Sequence, residues 1–234
     1  MLALDFPAAA AALDWLARHP QAPRQVKVGL ELFTAAGPAV VESLRAGGRR
    51  VFLDLKLHDI PQTVAGAVRA AARLEVEWLT VHAGGGAAML RAAAAAATEA
   101  GPAAPKLLGV TVLTSLDDAA LAELGLPGTT AERARRWAAL CRAAGLAGVV
   151  ASAREAAAIR RECGPGFLIV TPGVRPAGVA PNDQARVATP AEALRAGADY
   201  LVVGRALTAA QDPDRALAEL QAEIETAEED ANRI

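Results

Sequence analysis

The chain has 234 residues, of which 53% are hydrophobic and 3% are aromatic, and its formal net charge is −2. This length and aliphatic content predict a single domain, residues 1–234, with one large core. A weakly negative chain without a basic stripe argues against nucleic-acid binding and against a membrane surface as partner, because both rely on clustered positive charge. The two cysteines, Cys141 and Cys163, are too few for a disulfide framework, so we expect reduced core thiols and a cytoplasmic protein.

The alanine-rich stretch 92–97 is apolar, but the sequence around it argues against a membrane segment. Arg91 and Glu99 flank it, and no run of about 18 apolar residues without charge occurs in the sequence. Alanine is the best helix former, so the stretch predicts a packed helix.

Short apolar runs bounded by glycine and proline alternate with helical patterns along the whole chain. The runs predict eight strands, at 2–5, 25–29, 50–57, 77–82, 106–112, 147–151, 167–171 and 199–203. The helical patterns fall near 7–18, 31–46, 61–74, 86–100, 130–144, 153–162, 189–196 and 212–226. Eight βα units predict a single-domain (β/α)8 TIM barrel, with a doubly wound open sheet as the poorer alternative.

A TIM barrel places its functional side chains at the carboxyl ends of its strands, where the βα loops gather. The residues that satisfy this requirement include Asp5, Lys27, Asp54, Lys56, His82, Gly173, Arg175, Gly204 and Arg205. The sequence therefore predicts one functional site at that end of the barrel.

Lysine is rare in this chain, and its placement is informative. Only three of the 24 Lys and Arg residues are lysines, and Lys27 and Lys56 lie inside apolar strand-like runs. In segment 51–63, alternation puts Asp54 and Lys56 on one face, which must point to the barrel axis. Lysine offers a compact ammonium that can give up a proton, so this pattern indicates proton chemistry, whereas an ordinary ion-pair cluster with Asp59 is the alternative.

The long connection 171–190, rich in glycine and proline, carries Arg175 and Gln184. A solvated surface loop is one interpretation, but long loops in compact domains are usually lids or binding loops. Gly204 and Arg205 follow the eighth strand, and the loops after strands seven and eight commonly bind phosphate in TIM barrels. A glycine lets the backbone approach an anion and an arginine offers a bidentate donor fork, so we expect a phosphorylated substrate.

The three histidines do not indicate a metal site. We expect His58 and His82 to be packing residues near the site, and His19 to be exposed. No group of histidine, cysteine and carboxylate has zinc spacing, and glycines 84–86 open a helix and form neither a Rossmann nor a P-loop fingerprint. We therefore expect neither a metal nor an organic cofactor.

Taken in order, these segments resemble the bacterial branch of the orotidine 5'-phosphate decarboxylase family. The resemblance covers nearly the whole chain and rests on LALDFP, VKVGLELF, VFLDLKLHDIPQT, VHAGGG, TVLTS, TPGVRP, DQARVATP and YLVVGRALT. DLKLHDIP is the most specific of these motifs. The sequence departs from the family pattern at Gln62, where asparagine is usual, and in having only four residues before Asp5.

The resemblance implies a role for each matching residue. The charged catalytic array corresponds to Lys27, Asp54, Lys56 and Asp59. Asp59 and Thr63 would reach the neighbouring subunit's site in a homodimer, Asp5 would bind the ribose and Thr114 would contact the pyrimidine. The phosphate would be held by Arg175, Gln184, Gly204 and Arg205.

The resemblance also implies a reaction, the decarboxylation of orotidine 5'-monophosphate to UMP and CO2 in pyrimidine biosynthesis, without metal or cofactor. Lys56 would stabilise the negative charge at C6 and then deliver the proton. Two alternatives stay open. A Mg²⁺-dependent sugar-phosphate decarboxylase or aldolase shares the aspartate-lysine-aspartate signature, although Lys27 stands where that group has an acidic residue. A non-catalytic phosphate-binding barrel is the other alternative.

Overall fold

The structure is a computed structural model and describes residues 1–175 and 188–232. It contains one parallel sheet of eight strands, whose order in the sheet is their order in the chain. The strands are β1 (Leu2–Ala3), β2 (Gln25–Val28), β3 (Arg50–Leu57), β4 (Trp78–His82), β5 (Lys106–Val110), β6 (Gly148–Val150), β7 (Leu168–Thr171) and β8 (Tyr200–Leu201).

The sheet closes on itself, because β1 also pairs with the chain that continues from β8. Leu2 forms a parallel bridge with Val203. The Ala3 N–H donates to the Val203 carbonyl at 2.8 Å, and the Val203 N–H donates to the Met1 carbonyl at 3.0 Å. Eight parallel strands that close with helices between them form a (β/α)8 barrel, so the predicted TIM barrel is confirmed and the open sheet is excluded.

Helices follow each strand and cover the outside of the barrel. They are α1 (Ala9–Arg18), α2 (Leu30–Ala36), α3 (Pro38–Ala46), α4 (Pro61–Ala72), α5 (Gly86–Glu99), α6 (Asp118–Glu123), α7 (Thr130–Ala143), α8 (Ala153–Cys163), α9 (Pro190–Arg195), α10 (Arg205–Thr208) and α11 (Pro213–Asn232). Short 3-10 turns lie at Ala83–Gly85 and Gly101–Ala103. No helix of the described chain is long and apolar enough to cross a membrane.

The prediction of one helix over 31–46 is wrong, because α2 and α3 are separate helices. Gly37 divides them with a φ of 61°, a left-handed value that glycine adopts without steric cost. Pro38 then opens α3 at a position where a missing N–H is harmless. The sequence analysis also missed the two short helices α6 and α10, since neither is long enough to show a helical period.

Two apolar layers build most of the core, and a small third cluster comprises Val112, Leu121 and Ala134. The larger layer packs the strands against the surrounding helices. The smaller layer fills the barrel interior and comprises Ala3, Phe52, Trp78, Leu108, Val170 and Val202. Trp78 is its largest member and lies edge-on to Phe52 and to Tyr200, with ring centroids 5.6 and 4.5 Å away. These side chains fill the middle of the barrel, and a cavity opens towards the carboxyl ends of the strands.

The two cysteines are free and buried, as expected. Burial raises the pKa of the Cys141 thiol to about 12, so this side chain packs as an apolar group at neutral pH. The expectation of an exposed His19 is wrong. Its side chain is 15% exposed, because the ring packs on Trp15 and Nδ1 lies 3.0 Å from a carboxylate oxygen of Asp214.

Candidate active site

A cavity of about 230 Å³ opens at the carboxyl ends of the strands, next to the apolar cluster that fills the barrel. Most residues predicted from the sequence line it, namely Asp5, Lys27, Asp54, Lys56, Thr114, Arg175, Gly204 and Arg205. Residues from distant parts of the chain thus meet in one place because every strand of the barrel ends at the same rim.

Two predicted residues do not line this cavity. Asp59 and Thr63 are exposed, one in the loop after β3 and the other in the first turn of α4. The Asp59 carboxylate accepts a hydrogen bond from the Ile60 N–H at 2.6 Å. Gln184 lies outside the described residues. A single chain therefore brings together three members of the predicted charged array and leaves the fourth, Asp59, facing outwards.

The ammonium groups of Lys27 and Lys56 both approach the same oxygen of the Asp54 carboxylate. The Lys56 ammonium donates a hydrogen bond to Oδ2 of Asp54 at 2.8 Å. The Lys27 ammonium lies 3.6 Å from the same oxygen and 3.4 Å from Oδ1 of Asp5. Two cations thus flank one anion, and the position of each ammonium is fixed by its carboxylate partners.

Asp54 is buried yet ionised. Burial acts to raise its pKa, but the nearby charges of Lys27 and Lys56, together with hydrogen bonds from Lys56 and Thr80, outweigh burial and hold the pKa below its usual value. The carboxylate is therefore negatively charged throughout the neutral pH range. A fixed anion at this place keeps the adjacent ammonium groups oriented before any substrate binds.

The backbone of β3 is irregular where it reaches the site. Lys56 has a φ of 50°, in the left-handed region that residues with a side chain seldom adopt. The pairing of β3 with β4 shifts between Leu53 and Leu57. The regular alternation that we predicted for this segment is therefore interrupted before its end, although Asp54 and Lys56 both still face the cavity.

Thr80 is a polar residue of this region that the sequence analysis missed. It lies in β4 and is 0% exposed. Its hydroxyl donates to Oδ1 of Asp54 at 3.0 Å and accepts the Lys56 N–H at 2.8 Å. The only signal in the sequence is a threonine in the strand WLTVH, two residues from Trp78 and therefore on the inward face of the strand.

The histidines beside the array pack as expected. The rings of His58 and His82 are stacked, with centroids 4.9 Å apart and an angle of 12° between their planes. Burial, His58 and Lys56 lower the pKa of His82. Its Nδ1 accepts the Gly84 N–H at 3.1 Å, an interaction that requires this nitrogen to be unprotonated. His82 is therefore a neutral packing group next to the lysine.

Arginine and glycine define the other side of the cavity. Arg175 is buried, and its Nε has no hydrogen-bond partner among the described residues. Gly204 precedes Arg205, and a Cβ at this glycine would lie 3.1 Å from a carboxylate oxygen of Asp5. The backbone can thus approach a bound group closely here, with two guanidinium groups nearby.

The cavity therefore has an array of two lysines with aspartates on one side and arginine donors on the other. The fold and the site define a TIM-barrel enzyme whose cavity presents ammonium and guanidinium groups, an arrangement suited to an anionic substrate. Residues 1–220 match the Orotidine 5'-phosphate decarboxylase / HUMPS family, and the chain belongs to this family. The resemblance noted in the sequence is confirmed.

Curated relatives match over nearly their full length. The orotidine 5'-phosphate decarboxylase of Moorella thermoacetica is 57% identical over 230 residues, which cover 96% of this chain and 91% of the relative. The enzyme of the same name from Halorhodospira halophila is 56% identical over 227 residues, covering 97% and 96%.

Solved structures agree with the fold. Orotidine 5'-phosphate decarboxylase from Lactobacillus acidophilus superposes with a TM-score of 0.83 at 37% identity, covering 95% of this chain and 97% of that one. An uncharacterized conserved protein from Geobacillus kaustophilus gives a TM-score of 0.82 at 41% identity, covering 95% and 98%.

Proposed function

We propose that this protein converts orotidine 5'-monophosphate to UMP and CO2. The curated relatives confirm the predicted class of enzyme, a decarboxylase of pyrimidine biosynthesis, and favour it over the sugar-phosphate alternative. The observation that carries the proposal is the pair of ammonium groups held on Asp54 inside the cavity, since Lys56 can both stabilise a carbanion and protonate it.

The substrate is oriented by its two anionic ends. We assign its phosphate to Arg175, Gly204 and Arg205. The buried Nε of Arg175 supports this assignment, because it has no hydrogen-bond partner in residues 1–175 and 188–232 and a bound anion would satisfy it. Asp5 is assigned to the ribose hydroxyls and Thr114 to the pyrimidine, and both line the same cavity. Gln184 is also assigned to the phosphate and stays a prediction. This orientation directs the pyrimidine carboxylate towards the lysines.

The chemical step breaks the bond between C6 and the carboxylate carbon. The electron pair of that bond stays on C6 while CO2 departs, and the Lys56 ammonium stabilises the charge that develops. Lys56 then donates a proton to C6, which gives UMP and leaves a neutral amine that water reprotonates. No electrons are gained or lost, so the step needs no oxidant or reductant.

Asp54 and Lys27 position and supplement the Lys56 ammonium before this step. Asp54 fixes the ammonium of Lys56 at 2.8 Å, so little reorganisation is required when the charge develops. Lys27 adds a second positive charge 3.6 Å from the same carboxylate and also lies 3.4 Å from Asp5. Asp59 completes the proposed array from the partner subunit.

The Mg²⁺-dependent alternative fits this geometry poorly. Among the described residues, Asp5 and Asp54 are the carboxylates that line the cavity, and the Lys27 ammonium lies within 3.6 Å of both of them. A divalent cation shared by these carboxylates would lie beside a fixed positive charge, which would oppose its binding. A phosphate-binding protein without catalysis would not need a buried Asp54 carboxylate paired with Lys56, because burying that carboxylate is costly.

We further propose a cytoplasmic homodimer with shared sites. Asp59 and Thr63 are exposed in the single chain, as a contribution to a partner's cavity requires. Nearby Ile60 is 67% exposed, and Leu30, in the first turn of α2, is 55% exposed. Large exposed apolar side chains near a site are typical of a surface that another subunit covers.

The test is direct. Purified protein is incubated with orotidine 5'-monophosphate, and the fall in ultraviolet absorbance is followed together with chromatographic detection of UMP. We expect stoichiometric conversion that the Lys56→Ala variant does not support. Failure of the wild-type protein to convert the substrate, despite saturable binding of UMP, would favour a binding protein instead.

A further inference from the structure

A single buried hydroxyl connects the two residues at the centre of the site. Thr80 Oγ1 donates its one proton to Oδ1 of Asp54 at 3.0 Å and accepts the Lys56 N–H at 2.8 Å. Asp54 in turn accepts the Lys56 ammonium on its other oxygen at 2.8 Å. Lys56 is therefore held at both its backbone and its side-chain end through one carboxylate and one hydroxyl.

The irregular backbone of β3 explains why a side-chain hydroxyl accepts the Lys56 N–H. Between the pairs Leu53–Leu79 and Leu57–Val81, β3 advances four residues while β4 advances two. The extra residues of β3 leave the regular ladder, and Lys56 adopts its left-handed φ of 50° there. Its N–H is directed at a side-chain oxygen of β4, so the hydroxyl of Thr80 takes the place of a ladder carbonyl.

We propose that Thr80 is a positioning residue for the decarboxylation assigned above, because it fixes the Lys56 backbone and the Asp54 carboxylate in one arrangement and so aims the ammonium into the cavity. The inference rests on the proposed function for what the ammonium does. Thr80 is fully buried and acts on the array only through these two neighbours.

Thr111 shows what an ordinary buried threonine does in this barrel. It follows β5, is also 0% exposed, and its hydroxyl donates to the Val150 carbonyl at 3.0 Å. Its loss would remove one buried hydrogen bond without touching a charged side chain. Thr111→Val is therefore a matched control for Thr80→Val, since both changes keep the shape and remove one buried hydroxyl.

The experiment compares kcat for orotidine 5'-monophosphate, the dissociation constant of UMP and the Tm among variants. We expect Thr80→Val to lower kcat by at least about tenfold, because small displacements of a reacting group have large effects on rate. UMP affinity should change by no more than about twofold, since the ligand contacts other residues. Thr80→Ser keeps the hydroxyl and should restore most of kcat, whereas Thr111→Val should lower Tm and leave kcat near wild type.

Thr80→Cys offers a second variant if Thr80→Val does not fold, because a thiol is a weak donor of similar shape. Its kcat should fall between those of Thr80→Ser and Thr80→Val. Wild-type kcat in either Thr80→Val or Thr80→Cys would overturn the inference, as would an equal loss of kcat in Thr80→Val and Thr111→Val. A wild-type protein without turnover would instead defeat the proposed function, so the two failures are distinguishable.

Discussion

Lys56 Nζ lies 2.8 Å from Oδ2 of Asp54, although the two residues are next-but-one neighbours on the same strand. In a regular strand, two such residues lie on the same face about 7 Å apart. Here the strand is irregular, and the backbone of Lys56 is left-handed. The ammonium is thus fixed by local structure before substrate arrives, and this preorganisation is the basis of the first prediction.

Lys56→Ala should reduce turnover by at least about a thousandfold, because it removes an electrostatic stabiliser and the proton donor together. Binding of UMP should be largely unchanged, as measured by calorimetry. Lys106 is exposed at the amino end of β5, away from the cavity, so Lys106→Ala is the control and should keep wild-type kcat. A Lys56→Ala protein with a tenth of wild-type turnover would contradict the assigned role.

Activity should survive exhaustive dialysis against EDTA, since the lysine ammonium groups supply the positive charge that a metal would otherwise provide. Initial rates before and after dialysis should agree, and added Mg²⁺ should not raise them. Loss of activity that Mg²⁺ restores would support the sugar-phosphate class of enzyme.

The proposed shared site predicts complementation between inactive proteins. In a heterodimer of Lys56→Ala and Asp59→Ala chains, one site carries both substitutions and the other carries neither. Mixing the two proteins under subunit exchange should therefore restore about a quarter of wild-type activity if pairing is random.

Heterodimer formation is checked independently by native mass spectrometry of differently tagged chains. Each variant mixed with itself is the control and should stay inactive. If heterodimers form and activity does not return, Asp59 acts in its own subunit's site.

Arg205→Ala should lower kcat/KM for orotidine 5'-monophosphate by a factor that corresponds to roughly 2–5 kcal/mol of transition-state stabilisation. Arg205 is exposed in the free protein, and this range applies to a charged pair that a bound phosphate would bury. The phosphate-free nucleoside orotidine should react at nearly the wild-type rate, because it never makes this contact. Added guanidinium should partly restore activity on the phosphorylated substrate. Comparing the two substrates thus separates a phosphate role from a folding role.

Arg215→Ala provides the matched control for that experiment. Arg215 pairs with Glu219 on exposed α11, so its loss should leave both reactions unchanged. Equal losses on both substrates in Arg205→Ala, without guanidinium rescue, would show that Arg205 supports the barrel and does not hold phosphate.

Asp54 should make stability depend on pH in the acid range. Its pKa is depressed in the folded state, so its contribution is complete above the unfolded pKa near 4 and is lost as pH falls towards the folded pKa. Asp54→Asn should therefore reduce the free energy of unfolding by about 2 kcal/mol at neutral pH, and this difference should shrink below about pH 4.

Urea denaturation at neutral and acid pH measures this difference. Asp14 is exposed on α1, and Asp14→Asn should follow the wild-type pH dependence closely. A difference between wild type and Asp54→Asn that stayed constant down to pH values of about 3 would contradict the depressed pKa.

The barrel and most of its site could be predicted because they depend on patterns that persist along the sequence. Each strand is a short apolar run, and closing eight of them brings Lys27 and Arg205 to the same rim. The division of 31–46 could not be predicted with the same ease, because Gly37 and Pro38 are each compatible with a helix end or with a kink within one.

The detailed geometry of the array was also beyond the sequence. The left-handed conformation of Lys56 depends on a register shift between two strands, and residue types do not specify such a shift. Thr80 looks like an ordinary β-branched residue of a strand, and its contact with Asp54 spans 26 positions in the chain. Both features follow from tertiary pairing.

The left-handed backbone at Lys56 has a consequence for engineering this barrel. A residue with a side chain in that region costs about 1–3 kcal/mol, whereas glycine adopts it freely. Lys56→Gly would relieve the backbone, but it would also remove one of the two cations beside the buried Asp54 carboxylate, so its two effects on stability oppose each other. A screen for folding alone does not report whether the Lys56 ammonium is still present, so a stability campaign needs a turnover assay in every round.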